Sequence, residues 1–508
     1  MHHKNIKTII RKQLKTEYPY WRKLTKKEKK TIAKKVLYEV TASYDFKEEV
    51  KTAHHELIGL EEQLPGANIM NLEAMARFIE GHRKSQIFRF TPQRSHPAIR
   101  DEELRFIDGI LDNTIINRLL SYDGYTPAMR EFFPSNFLRA ELLKAIRFPE
   151  VSYRKFCGDD KRYKGYKKNN DFTGMGQKQS RAFIGLPLNA NIMLNHTQLS
   201  QFRGKLTFSQ LVNLIVYVLH HFKGHGYLGD GDIHCVDSTE IAIDCQELLA
   251  KLDINGKKIR IYDDLDCDCG ARRKKRDKSV YVVGYRMHTL TAINAGTGQS
   301  YPLISLLAPA NHHDSHFLSP LIRLGKAIGL DLRFVTADEA YHDKEGQIYN
   351  ESGVHLIKPP SAKVLPPDHV DTDSLLVYCD GQCEIPMEHV CVEGAHHEYK
   401  CSAQFGECPH AGVCTKYREI PIDTGYFQRI LYGSREVKKA LDIRKNGERP
   451  FNLLKHREGL EKIRVRNQHG IIARSMFSTM ATLLLEMAGT RKKVTKRVPI
   501  QLKFPEAA

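Results

Sequence analysis

Three acidic side chains, far apart in the chain, have the residue type and sequence surroundings expected of metal ligands in a site that cleaves phosphodiesters. Asp237 lies at the end of the first predicted strand, in VDSTE, and Asp338 lies at the end of the fourth, in TADEAYHD. If these two strands are neighbours in a sheet, both carboxylates lie at one edge and repel each other unless a cation binds between them. Hard oxygen ligands favour Mg²⁺ or Mn²⁺, and a pair of such ions can activate an attacking oxygen and stabilise a leaving one.

The third acid is expected from a later helix, in the segment RKNGERPFNLLKHREGLEKI. Arg444, Glu448 and Lys455 are separated by four and seven residues, which places them on one face of a regular helix. Glu448 would then complete the metal site, with the two cations available to contact phosphates. Pro450 leaves two alternatives: a kinked helix, or a helix with Glu448 in its first turn and Asn446 as its N-cap, in which case Arg444 leaves the common face. A simple Arg–Glu surface pair is the competing interpretation.

The elements around these acids indicate an α/β domain with a mixed five-stranded sheet and flanking helices. Three strands follow one another, and a helix, a strand, a short helix and a last strand complete the unit. This is the element order of an RNase H-like domain. The predicted strands are 232–239, 280–294, 301–309, 332–338 and 354–360, with the long helix at 315–328.

Other parts of the chain differ in composition, and we divide it accordingly. Residues 36 to about 225 are mainly helical, with candidate helices at 71–81, 101–120, 135–147 and 208–222. The predicted regions are a basic helical N-terminal region (1–95), a helical DNA-binding region (96–225), the catalytic domain in two parts (226–358 and 436–490), a Cys-rich insertion between those parts (359–435) and a basic tail (491–508).

The charge of the chain indicates a polyanionic partner. Its 508 residues carry a formal charge of +18, and the first 35 residues alone hold 13 Lys or Arg and two Glu. No run approaches the roughly 20 apolar residues that span a bilayer, and the start has no apolar secretory core. We therefore expect a cytoplasmic protein, associated with the nucleoid if bacterial, whose 11 cysteines are thiols or metal ligands.

Two basic segments are candidates for phosphate contact. Arg203 is expected on a short helix in NHTQLSQFRGKL, with His196 or Thr197 as its cap. A run of five cations lies between the first two predicted strands, at Arg272, Arg273, Lys274, Lys275 and Arg276. The alternative for each segment is a solvated surface loop or helix face.

Six of the 11 cysteines fall in the insertion, and they suggest a structural Zn²⁺ site. The preferred ligand set is Cys379, Cys383, Cys408 and Cys414. Because the spacings are not the usual paired Cys-x₂-Cys, a set of buried free thiols is the competing interpretation. The segment NHHDSH (311–316) has the composition of a metal site but lacks further ligands at definite spacing, so we interpret Asp314 or Ser315 as a helix cap.

The motifs VDST, TADEAYHD and R-x₃-E-x₆-K together resemble the DDE transposases of bacterial insertion sequences. The group in question has an RNase H-like catalytic domain and a Tyr-Arg-Glu-Lys signature around the last acid. The resemblance covers roughly 195–360 and 436–490, and the acids are separated by 101 and 110 residues (338 − 237 and 448 − 338). The chain departs from the signature at Leu441, where the group has Tyr.

The resemblance implies Mg²⁺-dependent chemistry on double-stranded DNA. With two ions held by Asp237, Asp338 and Glu448, water would cleave a phosphodiester at a transposon end, and the freed 3′-OH would attack target DNA. Pairing two DNA ends implies, by analogy, a homodimer. The alternatives are a catalytically inactive, transposase-derived DNA-binding protein and an RNase H-like nuclease without strand transfer.

Overall fold

The fold is known from a computed structural model, and the description below covers the part of the chain whose placement it defines. The described residues are 2–43, 68–85, 96–121, 132–158, 175, 177–188, 193–229, 232–252, 258–273, 279–294, 297–341, 343, 347–359, 368–371, 376–379, 385–401, 408, 417–422, 435–457, 459–461, 463 and 465–489.

A mixed β-sheet forms the centre of the protein, as the strand pattern predicts. Its strands run in the order β6-β5-β1-β7-β8, and β4 pairs with the first part of the long β5. Strands β1, β7 and β8 are parallel, whereas β5 is antiparallel to β1, β4 and β6. The first eight strands are β1 (Ile233–Ala242), β2 (Glu247–Leu252), β3 (Lys258–Tyr262), β4 (Asp268–Arg273), β5 (Ser279–Ile293), β6 (Ser300–Pro309), β7 (Phe334–Ala337) and β8 (His355–Ile357).

All five predicted strands are present, and the sequence pattern missed three more between β1 and β5. β2 and β3 form a separate antiparallel hairpin, and β4 extends the main sheet. The expected loop with the five cations is therefore partly a strand, because Arg272 and Arg273 belong to β4. Alternating charges and cysteines hid the strand character of this segment.

The helices cover both faces of the sheet and build the region that precedes it. They are α1 (His2–Glu17), α2 (Lys26–Ser43), α3 (Leu72–Ser85), α4 (Glu102–Ile110), α5 (Asn113–Leu119), α6 (Pro134–Arg147), α7 (Tyr153–Cys157), α8 (Lys178–Ile184), α9 (His196–Lys205), α10 (Phe208–Gly224), α11 (Leu318–Ala327), α12 (Gln347–Ser352), α13 (Arg435–Arg444), α14 (Arg449–Asn452) and α15 (Gln468–Gly489). Short 3₁₀ helices cover Trp21–Lys23, Asp314–Phe317 and Lys445–Glu448, and a π-helix covers Leu453–Arg457.

Capping decides where several helices begin. The predicted helix 101–120 is two helices, because the Asp112 carboxylate accepts hydrogen bonds from the amides of Thr114 and Ile115 and starts α5. The cap of α9 is Asn195, in a capping box with Gln198, rather than His196 or Thr197. In both places a side chain that accepts hydrogen bonds from backbone amides marks the start of the helix.

One hydrophobic core joins the helical region to the sheet. It extends from Leu72 in α3 to Met487 in α15. By length and composition α15 could cross a membrane, but 89% of its apolar window is buried inside the protein, as in the central helix of a globular fold. Since α15 packs on β6, α6 and α10, the helices of residues 96–225 and the sheet are stabilised together.

The basic N-terminal helices pack on the β2–β3 hairpin. Ile10, Leu14 and Val36 share a small core with Leu248 and Ile261. The buried guanidinium of Arg11 donates to the carboxylate of Asp268 at 3.1 Å. The ammonium of Lys15 contacts the carboxylate of Asp266. Part of the basic charge of this segment therefore holds it to the sheet domain.

The Cys-rich insertion contains a small antiparallel sheet that the sequence pattern did not reveal. Its strands are β9 (Glu388–Glu393), β10 (His396–Lys400) and β11 (Tyr417–Pro421), in the order β11-β10-β9. Val377, Tyr399 and Ile420 form its core. The alternation is short and interrupted, so it did not stand out from the surrounding loops.

Candidate active site

The first two predicted acids lie side by side at one edge of the sheet. β1 and β7 are parallel neighbours, and Val236 is the register partner of Ala337. Asp338 directly follows the end of β7, as predicted. Asp237 lies within β1, which continues to Ala242, so its predicted position at a strand end is wrong. Because neighbouring strands are about 4.8 Å apart, the two carboxylates share the carboxyl edge of this strand pair.

Burial and mutual repulsion make both acids resist ionisation. Burial is the largest cause that raises the pKa of Asp237, to about 7, and the charges of Asp338 and Glu448 raise it further. Burial also raises the pKa of Asp338, with a contribution from Asp314. The guanidinium of Arg444 opposes both shifts, which places this predicted cation beside the acids.

Backbone amides orient one oxygen of each carboxylate. Asp237 Oδ1 accepts a hydrogen bond from its neighbour Ser238 N at 2.7 Å, and Asp338 Oδ1 accepts one from Ala340 N at 2.9 Å. A divalent cation would remove the penalty of placing two negative charges together here. The donor set and its unfavourable electrostatics therefore fit a hard metal ion.

Glu448, the third predicted acid, stands close to this pair in an exposed position. It ends the 3₁₀ helix Lys445–Glu448, whose buried Gly447 lies under the Cys235 side chain of β1. Arg449 Nη1 donates to Gly298 O at 3.3 Å, on the turn before β6. Among the described residues, no three His, Cys, Asp or Glu side chains are already gathered as a ligand group.

The expected regular helix through Arg444, Glu448 and Lys455 does not form. The chain passes from α13 through the 3₁₀ helix and α14 into the π-helix Leu453–Arg457, and Pro450 lies in the first turn of α14. Each change of helix type alters the rotation per residue, so the predicted common face is wrong. Arg444 reaches the acids from the end of α13, whereas Lys455 lies in the π-helix Leu453–Arg457.

A buried polar network contacts the segment that follows Asp338, and the sequence pattern did not predict it. Arg286 donates to Asp314 at 2.8 Å, and His288 Nδ1 lies 3.2 Å from the hydroxyl of Tyr341, three residues after Asp338. His288 and Arg286 alternate with Thr289 and so lie on the face opposite Asp237. The sequence feature that could have revealed this network is the presence of Arg286 and His288 inside an otherwise apolar strand.

The segment NHHDSH belongs to this network rather than to a separate site. The predicted cap residues are corrected, because His313 caps the 3₁₀ helix Asp314–Phe317 by accepting from Ser315 N. Asp314 is buried and faces Arg286, and the ring of Phe317 stacks on His288 with centroids 4.1 Å apart. These contacts hold the start of α11 against the sheet.

Arg203 is buried rather than exposed on a helix face, which corrects the predicted position of this candidate for phosphate contact. The residue is 5% exposed, and its guanidinium pairs with the carboxylate of Glu141, which is fully buried. Helix α9 directs the Arg203 side chain into the core. There the carboxylate of Glu141 would destabilise the fold without a cation beside it. For the second basic segment, the side chains of Arg272 and Arg273 and the residues Lys274, Lys275 and Arg276 lie outside the described part of the chain.

The zinc site stays a prediction. Cys379 and Cys408 are buried, as metal ligands or free thiols would both be. Cys383 and Cys414 lie outside the described residues, as does the basic tail 491–508. In the small sheet, His389 Nε2 lies 3.1 Å from His397 Nδ1, and Cys391 contacts Glu398 instead of another thiol.

Comparison of the chain with known protein families and with curated proteins finds no match. The site is therefore interpreted from its own geometry and chemistry.

Proposed function

We propose that this chain is a DDE-type DNA transposase that cleaves transposon ends and transfers their 3′-OH groups into target DNA. The observation that carries the proposal is the register of β1 and β7, which brings Asp237 beside Asp338. Arg444 at the end of α13 and Glu448 in the 3₁₀ helix that follows act electrostatically on Asp237. Both observations support a shared site for the three distant motifs at this part of the sheet.

The topology supports an RNase H-like domain. Strands β6, β5 and β1 are antiparallel neighbours, and β7 and β8 continue the sheet in parallel on the other side of β1. The first acid lies within the central strand β1, and the second directly follows its parallel neighbour β7. This is the arrangement that the element order in the sequence predicts.

Asp237, Asp338 and Glu448 would hold two Mg²⁺ or Mn²⁺ ions. Such ions, when bound, activate an attacking oxygen and stabilise the leaving oxygen of a phosphodiester. The two strand residues supply fixed oxygens, because their amide hydrogen bonds orient them. Glu448 supplies an exposed carboxylate that can meet the ions and the substrate. Arg444 balances the charge of the acids and is available to bind a phosphate oxygen.

The proposed substrate is double-stranded DNA, both as transposon ends and as target. The formal charge of +18 supports a nucleic-acid partner. We also propose a homodimer, a location in the cytoplasm on the nucleoid, and a structural Zn²⁺ in the Cys-rich insertion.

A strand-cleavage and strand-transfer assay tests this function. The substrate is DNA carrying the inverted repeats that flank the coding region, labelled at the 3′ strand, with and without Mg²⁺. Wild-type protein is compared with Asp237→Asn, and Asp442→Asn is the matched control, because its carboxylate is exposed on α13 and paired with Lys445.

We expect nicking and joining by the wild type and by Asp442→Asn, and a loss of about 10³-fold or more with Asp237→Asn. Nicking without joining would support a nuclease instead. Equal nicking by wild type and Asp237→Asn would overturn the catalytic assignment. Binding to the repeats with no cleavage under any metal would support the inactive DNA-binding protein.

A further inference from the structure

A basic cleft of about 760 Å³ lies beside α9 and the start of α15, apart from the acids. Glu150 is the one carboxylate among the described residues that line it. Its cationic lining comes from five separate parts of the chain. The basic cleft is defined by Arg22, Lys144, Arg154, Arg203, Arg466 and Arg474.

Three of these cations are built into the fold. Lys144, Arg203 and Arg474 are at most 5% exposed. The one buried carboxylate among them, Glu141, accepts from Arg203 with one oxygen and from the Tyr153 hydroxyl with the other. Among the described residues of the lining, six Lys and Arg side chains accompany one carboxylate, that of Glu150, so the cleft surface favours an anion.

The surroundings of Lys144 are positively charged. Its ammonium donates to Pro149 O at 2.8 Å and lies 5.3 Å from the centre of the Tyr153 ring. Burial is the main cause that lowers the pKa of Lys144, to about 6, and Arg474 and Arg203 lower it further. Glu141 and Glu150 act in the opposite direction.

The basic cleft lies on the β6 side of the sheet that carries the acids. Gln468 Nε2, at the start of α15, donates to Leu307 O at 3.0 Å. Leu307 is the register partner of Met287, which pairs with Thr239, two residues after Asp237. Two strand spacings, about 10 Å, therefore separate this part of β6 from β1. The chain after Glu448 also leads to the cleft wall at Gly459.

We propose that the basic cleft binds the phosphate backbone of the DNA strand whose reacting bond lies at the carboxylates. Arg22 and Arg154 are exposed at its rim and would contact phosphates directly, and Arg466 beside them pairs with Asp263. The guanidiniums of Arg203 and Arg474 lie behind this rim, and a bound phosphate would favour the charged form of Lys144 between them. The assignment of the bound DNA strand depends on the proposed function. The assignment of an anion-binding site depends only on the side chains that line the cleft.

The test measures DNA binding without cleavage. Short fluorescein-labelled DNA is titrated with the full chain in EDTA, and anisotropy is followed over a range of salt concentrations. The variant Arg22→Gln/Arg154→Gln removes two rim cations. Arg323→Gln/Lys223→Gln removes two exposed cations from α11 and α10 and matches the change in net charge.

We expect the rim variant to bind about tenfold more weakly and to lower the slope of log K against log salt by about 2. The matched control should change neither quantity comparably. Equal losses in both variants would overturn the proposal, because only net charge would then matter. Intact DNA binding by the rim variant would overturn it as well.

Calorimetry in two buffers at about pH 7 gives a second measurement, with inorganic phosphate and DNA as separate ligands. We expect DNA binding to be accompanied by proton uptake that is lost in Lys144→Met, since a bound anion favours the charged lysine. Cleft-dependent binding of phosphate but not of DNA would assign the site to a small anion and overturn the DNA proposal. Cleft-dependent DNA binding without any Mg²⁺-dependent cleavage would instead contradict the proposed catalytic function alone.

Discussion

Gly447 lies directly against the buried side chain of Cys235, so that a Cβ at Gly447 would stand 2.7 Å from the sulfur. This contact seats the 3₁₀ helix Lys445–Glu448 on β1, two residues before Asp237. The absence of a side chain at one position thus determines how closely the third acid can approach the first.

Gly447→Ala is expected to displace Glu448 and to lower strand cleavage by about tenfold, with an overpacking cost of about 1–3 kcal/mol. Removing the sulfur with Cys235→Ala should restore part of the activity of Gly447→Ala, because it vacates the space that the new methyl group needs. Activity is measured in the cleavage assay and stability by urea unfolding. A double variant no more active than Gly447→Ala alone would contradict this explanation.

Asp237→Asn is expected to stabilise the metal-free protein at about pH 8 by about 1–3 kcal/mol. The pKa of Asp237 is raised to about 7, above its value in the unfolded chain, so stability from this group is present at low pH and lost as pH rises through 7. Mg²⁺ should raise the melting temperature of the wild type and have less effect on Asp237→Asn. Equal Mg²⁺ responses in the two proteins, with Asp442→Asn as control, would argue against metal binding at these acids.

His288 is expected to contribute to acid destabilisation. Burial, and next the charge of Arg286, lower the pKa of His288 well below its ordinary value. The unfolded chain therefore binds the proton more readily, so this contribution to stability is present above about pH 6.5 and decreases as pH falls below it. His288→Gln should reduce the slope of unfolding free energy against pH by up to about one proton. The unfolding free energy is measured with urea at steps of about one pH unit between pH 7 and 5. An unchanged slope of this free energy against pH would refute the assignment.

Arg203→Met is expected to destabilise the fold rather than only to weaken DNA binding. It leaves the carboxylate of Glu141 buried without its cation, a change that costs about 3–5 kcal/mol. Gln201→Ala, on the exposed side of the same helix, should change stability by less than about 0.5 kcal/mol. A normal unfolding midpoint for Arg203→Met would restore the interpretation of Arg203 as a surface contact.

Sequence alone determined the strands around the acids, because β1, β5, β6, β7 and β8 carry apolar runs whose length and β-branched content distinguish them from helices. It also indicated Asp237 and Asp338, since each polar residue directly follows such a run. Local patterns of this kind depend on near neighbours in the chain, which a sequence displays.

Only the tertiary structure decided the surroundings of these acids. The Arg286–Asp314 pair, the Gly447–Cys235 contact and the pairing of Arg203 with Glu141 each join residues that are far apart in the chain. Whether a charged side chain faces solvent, a partner or a substrate depends on which distant segment packs against it. Periodicity could therefore place Arg203 on a helix, but not reveal that its charge is used inside the protein.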